Sequence, residues 1–154
     1  GSKEFKKKDG SINLVDDLFK LGKIELIFLD KNFISIRKSK DTSWENLTKN
    51  VLDLLSKNIK EDFTPLTFEE ETKFTDDVSI RIEEVLNEKI RPAVAMDGGD
   101  IRLKSFKNGV AEVMLKGACA GCPSSTITLK HGVERMIKHY VPEVVSVEAL
   151  NIDE

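Results

Sequence analysis

The spacing of apolar residues from 76 to 150 changes three times, and this succession constrains the fold more than any other feature. A helical period of about 3.6 residues gives way to alternation of apolar and polar residues over 101–106. Asn108-Gly109 is a strong hairpin signal. A second helical stripe ends at Pro142, and residues 144–150 read as a strand. The order α-β-β-α-β predicts a two-layer α+β domain with a three-stranded sheet.

The preceding residues predict a second small two-layer unit over 11–59. Ser11 is suited to cap a first helix, and the strand-like runs 24–29 and 33–37 form a hairpin. Thr42-Ser43 is suited to cap a second helix. No strand is evident before this unit, although an isolated hairpin is only marginally stable. Residues 60–75, with an acidic run and no clear period, read as a linker to the domain at 76–150.

Composition excludes several functional classes. The chain has 154 residues and a formal net charge of −3, whereas binding of nucleic-acid phosphates needs a strong basic excess. Its apolar runs fall far short of the roughly 18–20 residues of a membrane span. The sequence also lacks a serine-histidine-aspartate grouping and a phosphate-binding glycine loop, so classical hydrolases and dehydrogenases are not supported.

The two cysteines, Cys119 and Cys122, lie two residues apart between a predicted strand and a predicted helix. This spacing lets both sulfurs face one metal, and a helix N-terminus favours the thiolate that binds it. Metal sites usually need four protein ligands. His131 lies roughly 13 Å along the helix from Cys122, at 1.5 Å per residue, and His139 is further away. Two copies related by a two-fold axis would supply four thiolates.

Three other interpretations of Cys119 and Cys122 stay open from the residues alone. A thiol–disulfide oxidoreductase also places such a pair where a strand leads into a helix, although Pro123 follows the second cysteine. A structural zinc ion shared by two copies is the second alternative. Chemically inert, structural cysteines are the third.

Four segments of the predicted domain at 76–150 together resemble the Nfu family, the C-terminal domain of NifU-type scaffold proteins. They are Met96-Asp97-Gly98-Gly99-Asp100, Gly117-Ala118-Cys119-Ala120-Gly121-Cys122-Pro123-Ser124-Ser125, Thr128-Leu129-Lys130 and Pro142-Glu143-Val144. Residues 11–59 are similar to the N-terminal domain of Nfu proteins, but the opening strand of that domain is expected to be absent here.

The resemblance implies a scaffold or carrier, without enzymatic turnover, that passes an iron–sulfur cluster to apo-proteins. It implies a [4Fe–4S] cluster held by Cys119 and Cys122 of two subunits, with [2Fe–2S] as the alternative and zinc as an adventitious occupant. Expected partners are a second copy, apo iron–sulfur clients and upstream cluster-assembly proteins, with no nucleic acid and no membrane. The expected compartment is the cytoplasm of a bacterium or the mitochondrial matrix of a eukaryote.

Overall fold

The computed structural model describes residues 1–60, 68, 73–120 and 123–151, with all side chains except those of 60, 123–126 and 151. The chain divides into two compact units, Gly1–Glu69 and Glu70–Glu154. The predicted linker 60–75 falls largely outside the described residues. The predicted bounds 11–59 and 76–150 stay predictions.

Five helices and six strands make up the described part of the chain. The helices are α1 (Asn13–Lys20), α2 (Trp44–Lys60), α3 (Asp77–Val85), α4 (Arg91–Met96) and α5 (Pro123–Tyr140), with a π-helical turn (Leu86–Ile90) between α3 and α4. The strands are β1 (Lys3–Phe5), β2 (Ile24–Leu29), β3 (Ile34–Lys38), β4 (Gly99–Lys107), β5 (Val110–Gly117) and β6 (Ser146–Asn151). Two three-stranded sheets with helices confirm the predicted α+β class. Within the described residues, each helix is too short or too polar to cross a membrane.

The first sheet contains an opening strand, so the expectation that this strand is absent was wrong. The order is β1-β2-β3 with both pairings antiparallel, and Phe5 of β1 lies opposite Ile27 of β2. The strand is short and carries Lys3 and Glu4 beside its one apolar residue, which hides it in the sequence. Phe5 is nevertheless 3% exposed and joins the core of the unit.

Helix α1 begins two residues after the serine predicted to cap it. Ile12 occupies the N-cap position, without a side-chain hydrogen bond to the helix. The hydroxyl and backbone N–H of Ser11 both donate to the carboxylate of Asp9 instead. The prediction that Ser11 caps the helix was therefore wrong, because Ser11 closes the preceding turn.

Helices α3 and α4 and the π-helical turn between them form a nearly continuous helical rod. The π-helical turn keeps the buried side chains of the rod on one face. Asp76 caps α3, as predicted, by accepting the backbone N–H of Ser79 at 2.8 Å. The buried residues of the rod recur every four positions; they are Ile82, Leu86, Ile90 and Val94. A spacing of four drifts by about 40° per step around a helix of 3.6 residues per turn. The wider π-helical turn counters this drift and keeps the four side chains in one core.

The second sheet has β5 at its centre. Strand β4 pairs with β5 in antiparallel fashion, and β5 pairs with β6 in parallel fashion through the crossover helix α5. Asn108 and Gly109 both adopt positive φ, at 51° and 79°, as the predicted hairpin turn requires. This topology leads the chain from the end of the central strand directly towards the N-terminus of α5.

Each edge strand of the second sheet donates a backbone N–H to a carboxylate on a helix. Glu83 of α3 accepts the backbone N–H of Leu103 at 3.1 Å, beside a register shift in β4. Glu134 of α5 accepts the backbone N–H of Val147 in β6 at 3.0 Å. These contacts occupy donors on the two edges and oppose strand-to-strand association there.

Candidate functional site

Cys119 lies just beyond the end of β5, on the path to α5. The residue is 9% exposed and belongs to the core cluster of the second unit. The position between a strand and a helix agrees with the sequence analysis. Cys122 lies outside the described residues, so the structure describes one of the two predicted ligands.

Gly99, the first residue of β4, lies directly against the Cys119 sulfur. A Cβ placed on Gly99 would lie 2.6 Å from Cys119 Sγ and 2.9 Å from the carbonyl oxygen of Lys116. Real Cβ atoms do not approach other atoms so closely, and the Lys116 carbonyl is backbone of the paired strand. Any larger residue at position 99 must displace the thiol. The sequence alone does not reveal this contact, because Gly99 and Cys119 are 20 residues apart.

Backbone hydrogen bonds fix the loop that carries the thiol. Ala118 N–H donates to the carbonyl of Gly98 at 3.1 Å, and Ala120 N–H donates to the carbonyl of Gly117 at 3.2 Å. The first bond ties the cysteine loop to the turn between α4 and β4. The thiol is therefore held by two chain segments about 20 residues apart in sequence.

A buried carboxylate next to Gly99 anchors the same corner of the sheet. Asp100 is 3% exposed and accepts Arg91 Nε at 2.7 Å and Arg91 Nη2 at 3.2 Å. It also accepts Arg102 Nε at 3.1 Å. The paired guanidinium groups offset the cost of burying this charge. The sequence does not predict this ion pair, because a lone aspartate after two glycines carries no signal of its arginine partners.

The two histidines considered as further ligands do not form a metal site with other described residues. His131 and His139 are both exposed on α5. Among the described residues, no group of three or more His, Cys, Asp or Glu side chains is arranged to hold a metal ion. The described part of one chain therefore offers one thiol, that of Cys119, just beyond the end of the central strand.

Two family models match the chain, one in each unit. The model described as "Scaffold protein Nfu/NifU N terminal" matches residues 1–62. The model described as "NifU-like domain" matches residues 82–148. The first match includes β1, in agreement with the strand that the structure shows.

Curated relatives match across nearly the whole chain. NifU-like protein C1709.19c of Schizosaccharomyces pombe is 34% identical over 96% of this chain. The human protein named "NFU1 iron-sulfur cluster scaffold homolog, mitochondrial" is 34% identical over 92% of this chain. NifU-like protein 4, mitochondrial, of Arabidopsis thaliana is 35% identical over 88%. The matches span 61%, 58% and 51% of these relatives' own lengths.

These similarities agree with the arrangement of the chain, in which an α+β unit precedes a second α+β unit with a cysteine at the end of its central strand. With one family model in each unit and relatives that match both, the chain belongs to the Nfu/NifU family.

Proposed function

We propose that this protein is an iron–sulfur cluster scaffold that holds a [4Fe–4S] cluster between two copies of the chain. Cys119 and Cys122 of each copy supply the thiolate ligands. The cluster is cargo, which the protein passes to apo-proteins, and the protein performs no turnover chemistry on it. The name of the human relative, an iron–sulfur cluster scaffold homolog, supports the scaffold role.

The placement of Cys119 is the observation that carries this proposal. Its sulfur rests against Gly99 at the end of the central strand, in a loop fixed by the hydrogen bond from Ala118 to Gly98. A thiolate on a rigid support loses little conformational freedom when it binds a metal, which favours a ligand role. A redox-active cysteine would instead need access for a second, bulky disulfide substrate.

The number of ligands favours a shared site. A [4Fe–4S] cluster takes four cysteine thiolates, and each chain has two cysteines. Two loops around a two-fold axis complete the set. A cluster bound between subunits can leave when the subunits separate, as a carrier requires.

Anaerobic reconstitution with ferrous iron, sulfide and a thiol reductant tests the proposal. We expect a brown chromophore, about two iron atoms per chain for [4Fe–4S], and the mass of a dimer by light scattering. About one iron per chain would indicate [2Fe–2S] instead. Cys119→Ser and Cys122→Ser should each abolish the chromophore. His131→Ala, an exposed change on α5, is the matched control and should retain it.

Three outcomes would contradict the proposal. The first is a cluster that a single chain holds without another subunit or added thiol. The second is a colourless protein that binds zinc alone. The third is catalytic reduction of a test disulfide by the cluster-free protein, which would assign Cys119 and Cys122 to a thiol–disulfide oxidoreductase.

We further propose that the recipients are apo iron–sulfur proteins and that upstream cluster-assembly proteins load the scaffold. Transfer from the reconstituted protein to an apo-enzyme that needs [4Fe–4S] is measured by recovery of the enzyme's activity. The compartment is the mitochondrial matrix if the source is a eukaryote, in line with the names of two relatives, and the cytoplasm if it is a bacterium.

A further inference from the structure

The start of β4, which lies against the Cys119 sulfur, has little side-chain packing of its own. Gly98 has a positive φ of 80°, and Gly99 follows it. The ladder with β5 begins with Gly99 opposite Gly117, so neither residue of that first pair has a side chain to pack. Fixing glycines costs more conformational entropy than fixing other residues. The contact between Gly99 and the sulfur therefore needs a restraint from outside this glycine pair.

Asp100, the first residue after the glycine pair, is bound to the helical rod. Its Oδ1 accepts Arg91 Nε at 2.7 Å, and its Oδ2 accepts Arg91 Nη2 at 3.2 Å. Such a fork fixes both the distance and the orientation of the carboxylate relative to α4. Asp100 Oδ1 also accepts the backbone N–H of Ile101 at 2.9 Å, which ties the carboxylate to its own strand. The side chain of Asp100 thus joins the rod to the beginning of β4.

The π-helical turn brings Arg91 to this position. The backbone N–H of Arg91 donates to the carbonyl of Leu86, five residues earlier, and this bond closes the wide turn. The turn counters the drift of about 40° that four residues accumulate in an α-helix, which brings the side chains of Asn87 and Arg91 together. Asn87 Oδ1 accepts Arg91 Nη1 at 2.7 Å. All three guanidinium nitrogens are therefore engaged, one by Asn87 and two by Asp100.

We propose that Arg91 is a positioning residue for the thiol of Cys119 and that it acts through Asp100. The proposal rests on the proposed function, in which this thiol binds the cluster. The backbone of Asp100 is continuous with Gly99, which lies against the sulfur. Because the fork from Arg91 holds Asp100 in place, Gly99 keeps its position and the thiol keeps its support.

A second route from Asp100 to the thiol runs through Gly98. The carbonyl of Gly98 accepts the backbone N–H of Ala118 at 3.1 Å, and Ala118 directly precedes Cys119. The restraint on Asp100 thus reaches the cysteine loop through a contact with the sulfur and through a backbone hydrogen bond. Loss of the fork should release both.

Arg81 offers a matched comparison on the same rod. Its guanidinium also binds two carboxylates, those of Asp77 and Glu143. Glu143 follows the C-terminus of α5, whereas Cys119 precedes its N-terminus, and a helix of 18 residues separates the two by about 27 Å. Arg91→Lys and Arg81→Lys make the same chemical change, which keeps the charge and removes the fork.

Alkylation of Cys119 by iodoacetamide in the cluster-free full chain measures the position of the thiol. In a Cys122→Ser background Cys119 is the only thiol, and its 9% exposure predicts a slow reaction. We expect Arg91→Lys to raise the rate constant about threefold or more, because a displaced thiol becomes more accessible. Arg81→Lys should leave the rate constant unchanged.

A general loss of stability is separated from a displaced thiol by a third variant, Val147→Ala. Val147 is buried opposite Ala111 near the start of the central strand, whereas Cys119 follows the end of that strand. Urea unfolding gives the stability of each chain. The wild-type chain, Arg81→Lys and Val147→Ala define how alkylation depends on stability, and Arg91→Lys should react faster than this relation predicts. A rate that falls on the relation would overturn the proposal.

Asn87→Ala tests the contact that supports Arg91. It should raise the alkylation rate less than Arg91→Lys does, because the fork to Asp100 remains. Added to Arg91→Lys, it should cause no further increase, because Asn87 acts only through the guanidinium. An additive increase would show that Asn87 acts by another route and would overturn its part in the proposal.

Cluster loading gives the second readout, in chains that keep both cysteines. Arg91→Lys should lower the iron bound per chain severalfold after reconstitution, and Arg81→Lys should retain it. Normal loading of an Arg91→Lys chain whose thiol reacts faster would contradict the positioning role. Alkylation needs no cluster, so the two proposals can fail separately. A wild-type chain that binds no cluster would refute the proposed function alone, and a wild-type alkylation rate in Arg91→Lys would refute the positioning role alone.

Discussion

The two units build similar three-stranded sheets but use their charged side chains differently. In the second unit Asp100 is buried between two arginines, and helix carboxylates occupy backbone donors on both sheet edges. In the first unit the ion pairs Lys20–Asp17 and Lys23–Asp41 lie at the surface. The second unit therefore commits charge to its interior, whereas the first leaves it in solvent.

This difference in the placement of charge affects how each unit is held together. Around Cys119, buried charge and backbone hydrogen bonds hold one corner of the sheet in a single arrangement, which suits a preorganised ligand. In the first unit the exposed surface of α2 keeps apolar area that its own core does not use. The two units therefore differ in where they place charged side chains and apolar area. The predictions below test this division, beginning with the largest effect.

Asp100→Ala should strongly destabilise the second unit. It removes the buried carboxylate that Arg91 and Arg102, whose side chains are 23% and 19% exposed, share at this corner of the sheet. Breaking such a buried pair costs about 3–5 kcal/mol. Urea unfolding followed by far-ultraviolet circular dichroism measures the loss. Trp44, the chain's one tryptophan, reports on the first unit separately by its fluorescence.

The counterpart in the first unit is Asp17→Ala. The carboxylate of Asp17 pairs with Lys20 at 2.6 Å on the surface, where solvent screens the interaction. We expect no measurable change in the unfolding midpoint. If Asp100→Ala and Asp17→Ala had equal effects, the proposed contrast between buried and exposed charge would be untenable.

Gly99→Ala should lower both the stability of the second unit and the loading of the cluster, and the loss of loading should exceed what the loss of stability alone would cause. The new Cβ would overlap Cys119 Sγ and the Lys116 carbonyl, and relieving this overlap costs about 1–3 kcal/mol. Because the thiol must move, we also expect cluster loading to fall severalfold in the reconstitution assay.

Gly22→Ala provides a control of similar cost in the first unit. Gly22 has φ of 73°, and a Cβ there would meet nothing within 4 Å. The left-handed conformation alone costs a non-glycine residue about 1–2 kcal/mol. Cluster loading should be unchanged. Equal loss of cluster in both variants would mean that stability, rather than the position of the thiol, governs loading.

Elements with a strong local signal could be predicted from the sequence. Asp76 caps its helix and Asn108-Gly109 forms its turn, because each depends on a few adjacent residues. The strand β1 could not be recognised, since its pairing with β2 supplies the stabilisation that three mostly charged residues do not reveal. The π-helical turn was not predicted either, although the spacing of four between the apolar residues in and around it is a sign of it in the sequence.

At the site, residue types could be predicted but neighbours could not. The close spacing of Cys119 and Cys122 predicts a pair of ligands within one loop. The contact between Gly99 and Cys119 joins residues 20 positions apart, and it follows from the pairing of β4 with β5. The bond from Arg91 to Asp100 likewise needs α4 to lie against β4. Contacts between distant segments are set by topology, which a single sequence does not specify.

The smallest expected effect concerns the sheet edge at β6 and appears as a dependence on pH. The ammonium group of Lys138, and then the backbone N–H of Val147, lower the pKa of Glu134 below its ordinary value. A lowered pKa stabilises the fold fully above the ordinary pKa of glutamate, about 4.3, and this contribution is lost as the pH falls through the lowered value. Glu134→Gln keeps an oxygen for Val147 but loses the charge.

We therefore expect Glu134→Gln to cost about 0.5 kcal/mol near pH 7, the value of a helical ion pair. The difference from the wild-type chain should vanish when unfolding is measured at a pH well below 4. Asp17→Asn is the counterpart in the first unit, where the pKa of the carboxyl group is also lowered by Lys20 but the pair is exposed. It should show no such convergence. If the difference in unfolding free energy between Glu134→Gln and the wild-type chain persisted in acid, packing of the side chain rather than its charge would stabilise this sheet edge.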